Sequence, residues 1–125
     1  MKALLLVAHG SRRAASNDEV RELTAQLQQA DGSFQYVACA FLELAEPSIP
    51  DGLREAIAEN ADEVVVLPYF LSAGRHVVKD IPEEVAVVQA EHPDVVIRVA
   101  PYLGAADGVV QILLQQAASQ ETTPP

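Results

Sequence analysis

Four short segments are apolar almost without interruption: Lys2–Ala8, Phe34–Phe41, Asp62–Phe70 and Val95–Tyr102. Each has strand length and is rich in Val, Leu or aromatic residues. A continuous apolar run, rather than alternation, predicts strands covered on both faces, as in a parallel sheet. Between them lie stretches with helical spacing. Ser16-Asn17-Asp18-Glu19 has the form of a capping box, followed by Val20, Leu23 and Leu27. Pro50 opens a second helix with Leu53, Ala56 and Ile57 as its inner stripe. Pro82 sits near the start of a third that carries Val85 and Val88, and a fourth runs from about Ala105 through Val109, Ile112 and Leu113.

Strands and helices therefore alternate. This predicts an α/β fold: one three-layer domain with a four-stranded parallel sheet flanked by helices. The domain is expected over residues 1–118. Residues 119–125, ending in Thr-Thr-Pro-Pro, are expected to form a flexible tail.

At 125 residues the chain is the size of one domain, and its 50% apolar and 21% charged composition is that of a globular protein. A net charge of -10 argues against nucleic acid and anionic membranes as partners, since both call for a basic face. The single cysteine, Cys39, lies in an apolar run and reads as a small buried hydrophobe. The apolar N-terminal run is too short to span a membrane. A cytoplasmic protein is expected.

In open parallel sheets ligands bind beyond the carboxyl ends of the strands. That rule selects His9-Gly10-Ser11-Arg12-Arg13, Leu42–Ser48, Leu71–His76 and Leu103-Gly104. His9 and His76 fall on this edge. Imidazole ligates Co, Ni, Fe and Zn and also serves as a base near neutral pH. Two histidines describe a site that holds an ion loosely, since a closed site uses about four ligands. Glu43 is a candidate proton acceptor or third ligand, whereas Glu46 is expected to face solvent or cap the next helix. His92 belongs to a helix exit on the opposite edge. Arg12, Arg13, Arg75 and Lys79, half of the 8 Lys and Arg residues, form a candidate anion-holding rim.

Three of these segments, LLLVAHGSR, AFLELAEPSI and LPYFLSAGRHVVKDIP, in this order and at these spacings, resemble the short class II chelatases. This is the CbiX family, with the related SirB ferrochelatases and the small archaeal nickel chelatase. The resemblance runs from Lys2 to about Leu114 and implies a flavodoxin-like, chelatase-like domain. It further implies insertion of a divalent metal into sirohydrochlorin, a carboxylate-rich tetrapyrrole. Co2+ is favoured as the metal substrate, with Fe2+ and then Ni2+ as alternatives, and no permanently bound cofactor is expected. His9 and His76 would hold the metal, and His9 would accept a pyrrole proton, a role that can pass to Glu43 or water. Leu71, Ser72, Ala73, Gly74, Arg75 and Ala45 would contact the tetrapyrrole, with Ser11 and Arg12 beside them. Chains of this length in the family act as homodimers, and a wide tetrapyrrole on a shallow sheet edge calls for a second subunit. Two other readings stand beside this one. One is a non-catalytic cobalt or tetrapyrrole carrier. The other is a phosphoryl-transfer enzyme with His9 as nucleophile, weakened because Ala8 stands where the histidine phosphatases have Arg.

Overall fold

The computed structural model describes residues 1–30 and 32–121. The strands are β1 (Lys2–Ala8), β2 (Tyr36–Phe41), β3 (Glu63–Pro68) and β4 (Val96–Val99), and the helices are α1 (Ala14–Ala30), α2 (Ile49–Ala58), α3 (Ile81–Glu91) and α4 (Val109–Glu121). All strands pair in parallel in the order β2-β1-β3-β4. The expected α/β architecture is therefore the one observed. No helix among the described residues is long and apolar enough to cross a membrane.

One face of the sheet is sealed. Ala3, Leu5 and Val7 of β1 and Val64 and Val66 of β3 point to it, where α2 and α3 pack with Ile49, Leu53, Ala56, Ile81 and Val88, all fully buried. Gly52 of α2 lets the helix approach β1 and β2, since a Cβ there would press on Ala40 and Leu5. The other face carries Leu4, Leu6, Val37 and Phe41, and α1 covers the half of it over β2. Its apolar residues Val20, Leu23 and Leu27 are half-buried. Cys39 shares this face with Leu6 and is half-buried rather than sealed, because β2 is an edge strand covered by one helix.

The helix boundaries depart from expectation in three places. Helix α1 begins at Ala14, with the Arg13 carbonyl accepting from Ser16 and Asn17, so Ser16 lies inside the helix and no capping box forms. Asn17 faces back to the loop after β1 instead and bonds the backbone of Ser11 on both sides. Helical backbone begins at His76, six residues before Pro82, as a π-helical turn over His76–Asp80 that runs directly into α3. The fourth helix begins at Val109, not Ala105, after a separate 3-10 turn over Leu103–Ala105. It continues to Glu121, past the expected start of the tail, and residues 122–125 lie outside the described residues.

Candidate active site

The strand order reverses direction between β1 and β3: β2 lies to one side of β1, and β3 and β4 to the other. A crevice opens at such a reversal, outside the carboxyl ends of the strands. His9 follows β1 and His76 follows the segment that leaves β3, so both stand at this point.

The local backbone explains the placement. Pairing continues past the end of β2, where the amides of Leu42 and Glu43 donate to the carbonyls of Ala8 and His9 at 3.0 and 3.1 Å. Gly10 adopts φ 94°, and a Cβ there would collide with the Glu43 carbonyl. Only glycine tolerates both conditions. The result sets Glu43 against His9, with Glu43 Oε1 3.2 Å from His9 Nε2.

The rings of His9 and His76 stand 4.8 Å apart between centroids, tilted by 36°. His76 is held by Asp80, whose Oδ2 lies 2.8 Å from its Nδ1. Each imidazole thus presents one nitrogen to a carboxylate and keeps the other free. A carboxylate acceptor fixes the tautomer and raises the basicity of the remaining nitrogen. Both rings are about half exposed, with side-chain exposure of 47% each. Among the described residues no group of three or more His, Cys, Asp or Glu side chains is poised to hold an ion. What converges is a pair of histidines with a carboxylate behind each.

A cavity of about 170 Å³ lies below this pair, lined by Leu42, Glu43, His76, Asp80, Glu83 and Glu84. Burial, and then the charge of Asp80, raises the carboxyl pKa of Glu84, and its Oε2 is enclosed without a hydrogen-bond partner. On the other side of Glu43 a wider groove of about 790 Å³ runs along residues 41–48, including Ala45, to α2.

The other expected residues divide by environment. Leu71, Ser72, Ala73, Gly74 and Arg75 form an exposed segment ahead of His76, with Leu71 77% exposed. Arg12, Arg13, Arg75 and Lys79 are exposed on this edge, and among the described residues none has a carboxylate partner. The Ser11 hydroxyl accepts from the Arg13 amide at 3.0 Å, so it shapes the loop. Glu46 does not cap α2. Ser48 does, its hydroxyl accepting from the Asp51 amide at 3.2 Å. His92 caps the far end of α3 and belongs to no site.

Two contributors were not singled out from sequence. Asp80 stands four residues after His76, the spacing that brings side chains together on a helix. That signal was hidden because the helix was expected to begin later. Asn17, the clamp on the loop after His9, was read as part of a cap.

The CbiX family model matches residues 3–120. The chain belongs to the CbiX family. The sirohydrochlorin cobaltochelatase of Methanocaldococcus jannaschii is 34% identical over 92 residues, 74% of this chain and 64% of that one. The chloroplastic sirohydrochlorin ferrochelatase of Arabidopsis thaliana is 42% identical over 79 residues, 63% of this chain and 35% of that one. The chain thus spans less than two thirds of the length of these curated relatives. Among solved structures, a putative cobalamin biosynthesis CbiX protein from Marinobacter aquaeolei superposes with a TM-score of 0.78 at 30% identity, covering 97% of each chain. SirB from Bacillus subtilis with Fe3+ gives 0.86 at 28% identity over 98% of this chain and 48% of that one. CbiX membership leaves the phosphoryl-transfer reading without support.

Proposed function

We propose that this protein is a sirohydrochlorin chelatase that inserts a divalent metal ion, Co2+ in preference, into the tetrapyrrole with release of two pyrrole protons. The observation that carries this reading is the histidine pair: two rings 4.8 Å apart at the strand-order reversal, each braced by its own carboxylate.

A chelatase has to hold its ion long enough to strip water from it, yet release it to the macrocycle. Two imidazole nitrogens suit that task, and they bind Co2+, Fe2+ and Ni2+ alike. Asp80 leaves the Nε2 of His76 free for the ion, and Glu43 leaves the Nδ1 of His9 free. Once the ion has passed on, His9 accepts a pyrrole proton and Glu43 stabilises the imidazolium so formed. Arg12, Arg13, Arg75 and Lys79 offer unpaired cations to the tetrapyrrole carboxylates. Leu71–Gly74 and Ala45 frame the macrocycle, and a second copy closes the open side in a cytoplasmic homodimer.

Iron is the second reading, favoured by the ferrochelatase relative and by the SirB structure with Fe3+. Nickel stands third. The test mixes purified protein, sirohydrochlorin and each ion and follows the absorbance of the macrocycle. Acceleration over the protein-free reaction is expected, fastest with Co2+. No acceleration with any ion overturns the proposal, and binding without turnover replaces it with the carrier.

A further inference from the structure

Helix α4 and one half of the sheet are each incomplete. From Val109 to Gln120 the chain has no charged residue. Val110, Leu113, Leu114 and Ala117 recur at helical spacing, with Ile112 beside them, a stripe of the kind that helices bury. Yet Val110 is 60% exposed, Ile112 54%, Leu113 63% and Leu114 59%. The helix makes its main contact with the short turn at Leu103–Ala105 and leaves the sheet alone.

The sheet shows the matching gap. Val65 and Leu67 of β3 alternate away from the core and remain half-exposed, and Val96 of β4, in register with Glu63 on the same side, is 46% exposed. The run Val64-Val65-Val66-Leu67 has the continuous apolar character of a strand covered on both faces, but only one face is covered. Charge on the open face is already neutralised, because Arg98 Nε lies 3.2 Å from Glu63 Oε2. The chain exposes 7827 Å², whereas a compact monomer of 13.4 kDa exposes about 6,500 Å². The surplus, on the order of 1,000 Å², is what one partner contributes to a stable interface, roughly 800 Å².

We propose that α4 is exchanged between two copies of this chain, each helix covering the β3–β4 face of the other. The exchange is reciprocal, so it closes as a two-fold dimer. It also starts at the histidine edge. The Gly104 amide donates to the Phe70 carbonyl at 3.0 Å, and a Cβ on Gly104 would collide with the Leu71 carbonyl. The crossing segment is thereby tied to the strand end that leads to His76, and the second copy is brought to that edge. The inference stands on packing alone and holds whatever reaction the site performs.

The test is crosslinking. In a Cys39→Ala background, Val65→Cys and Leu113→Cys are placed in one chain and treated with a short bis-maleimide at micromolar concentration. A covalent dimer as the main crosslinked product is expected. A crosslinked single chain, or no crosslink, overturns the exchange even if the protein is dimeric. Light scattering on the unaltered chain gives a second reading, with twice the single-chain mass expected and the single-chain mass overturning the proposal.

Discussion

The two ends of the sheet treat charge in opposite ways. At the end where the strands begin, charges are matched. The N-terminal ammonium lies 3.0 Å from Asp62, Lys2 sits over the Phe34 ring, and Arg98 meets Glu63. On the helical face nearby, Arg54 grips both oxygens of Glu91 and joins α2 to α3. At the end where the strands finish, four cations stand without carboxylates, and the carboxylates that are present brace histidines or are enclosed alone. Matched surface charges hold a fold together modestly. Unmatched ones are free for a ligand. An acidic chain of net charge -10 can therefore still offer a basic rim to a carboxylate-rich substrate.

The largest effects are expected at the histidines. His9→Ala and His76→Ala should each lower the rate of metal insertion by roughly 100-fold or more, while circular dichroism stays unchanged because both rings are half exposed. A rate within a few-fold of the unaltered protein would remove the pair from the reaction. Next comes the rim. Arg12→Glu combined with Arg75→Glu should raise KM for sirohydrochlorin by about tenfold through lost charge-assisted hydrogen bonds, with a smaller change in kcat. Unaltered KM would mean that these cations are ordinary surface charge.

Asp80→Asn should slow insertion by roughly 10-fold, in line with loss of a partner that orients a metal-binding His. It should also shift the pH profile of the rate, because His76 loses its anionic neighbour. An unchanged pH profile would reduce Asp80 to a helix-stabilising residue.

Two smaller effects have opposite signs and so probe the contrast directly. The Glu84 carboxyl is raised above its ordinary value by burial, so its ionised form opposes folding. Glu84→Gln should raise Tm by roughly 1–3 °C near neutral pH. That gain should disappear as pH falls below the ordinary glutamate range, where the native residue is also neutral. Asp62 is held below its ordinary value by the hydrogen bond and charge of the N-terminal ammonium. Its stabilising effect is full above the ordinary aspartate range and is lost as pH falls through the depressed value. Asp62→Asn should therefore lower Tm by about 1 °C at neutral pH, as an exposed pair warrants, and leave it unchanged in acid. Thermal melts across pH read both.

Much of the site was legible before any coordinates, because a parallel sheet carries its ligand groups where strands end. His9 and the Leu71–Arg75 segment follow directly from that rule. What escaped was the partnership of side chains. Glu43 reaches His9 because the backbone stays paired beyond β2 and Gly10 takes a positive φ. Asp80 reaches His76 because the helix begins at the histidine, a boundary that Pro82 disguised.

By itself the sequence determined the alternation of strands and helices, the parallel sheet and the edge on which the chemistry lies. These follow from periodicity and from chain order, which are local properties. Only the tertiary structure decided the strand order that sets β1 beside β3, the pairing of each histidine with its carboxylate and the bare β3–β4 face. Those depend on contacts between residues far apart in the chain. The continuous apolar runs announce that both faces of the sheet are to be covered, and they leave open which chain supplies the cover.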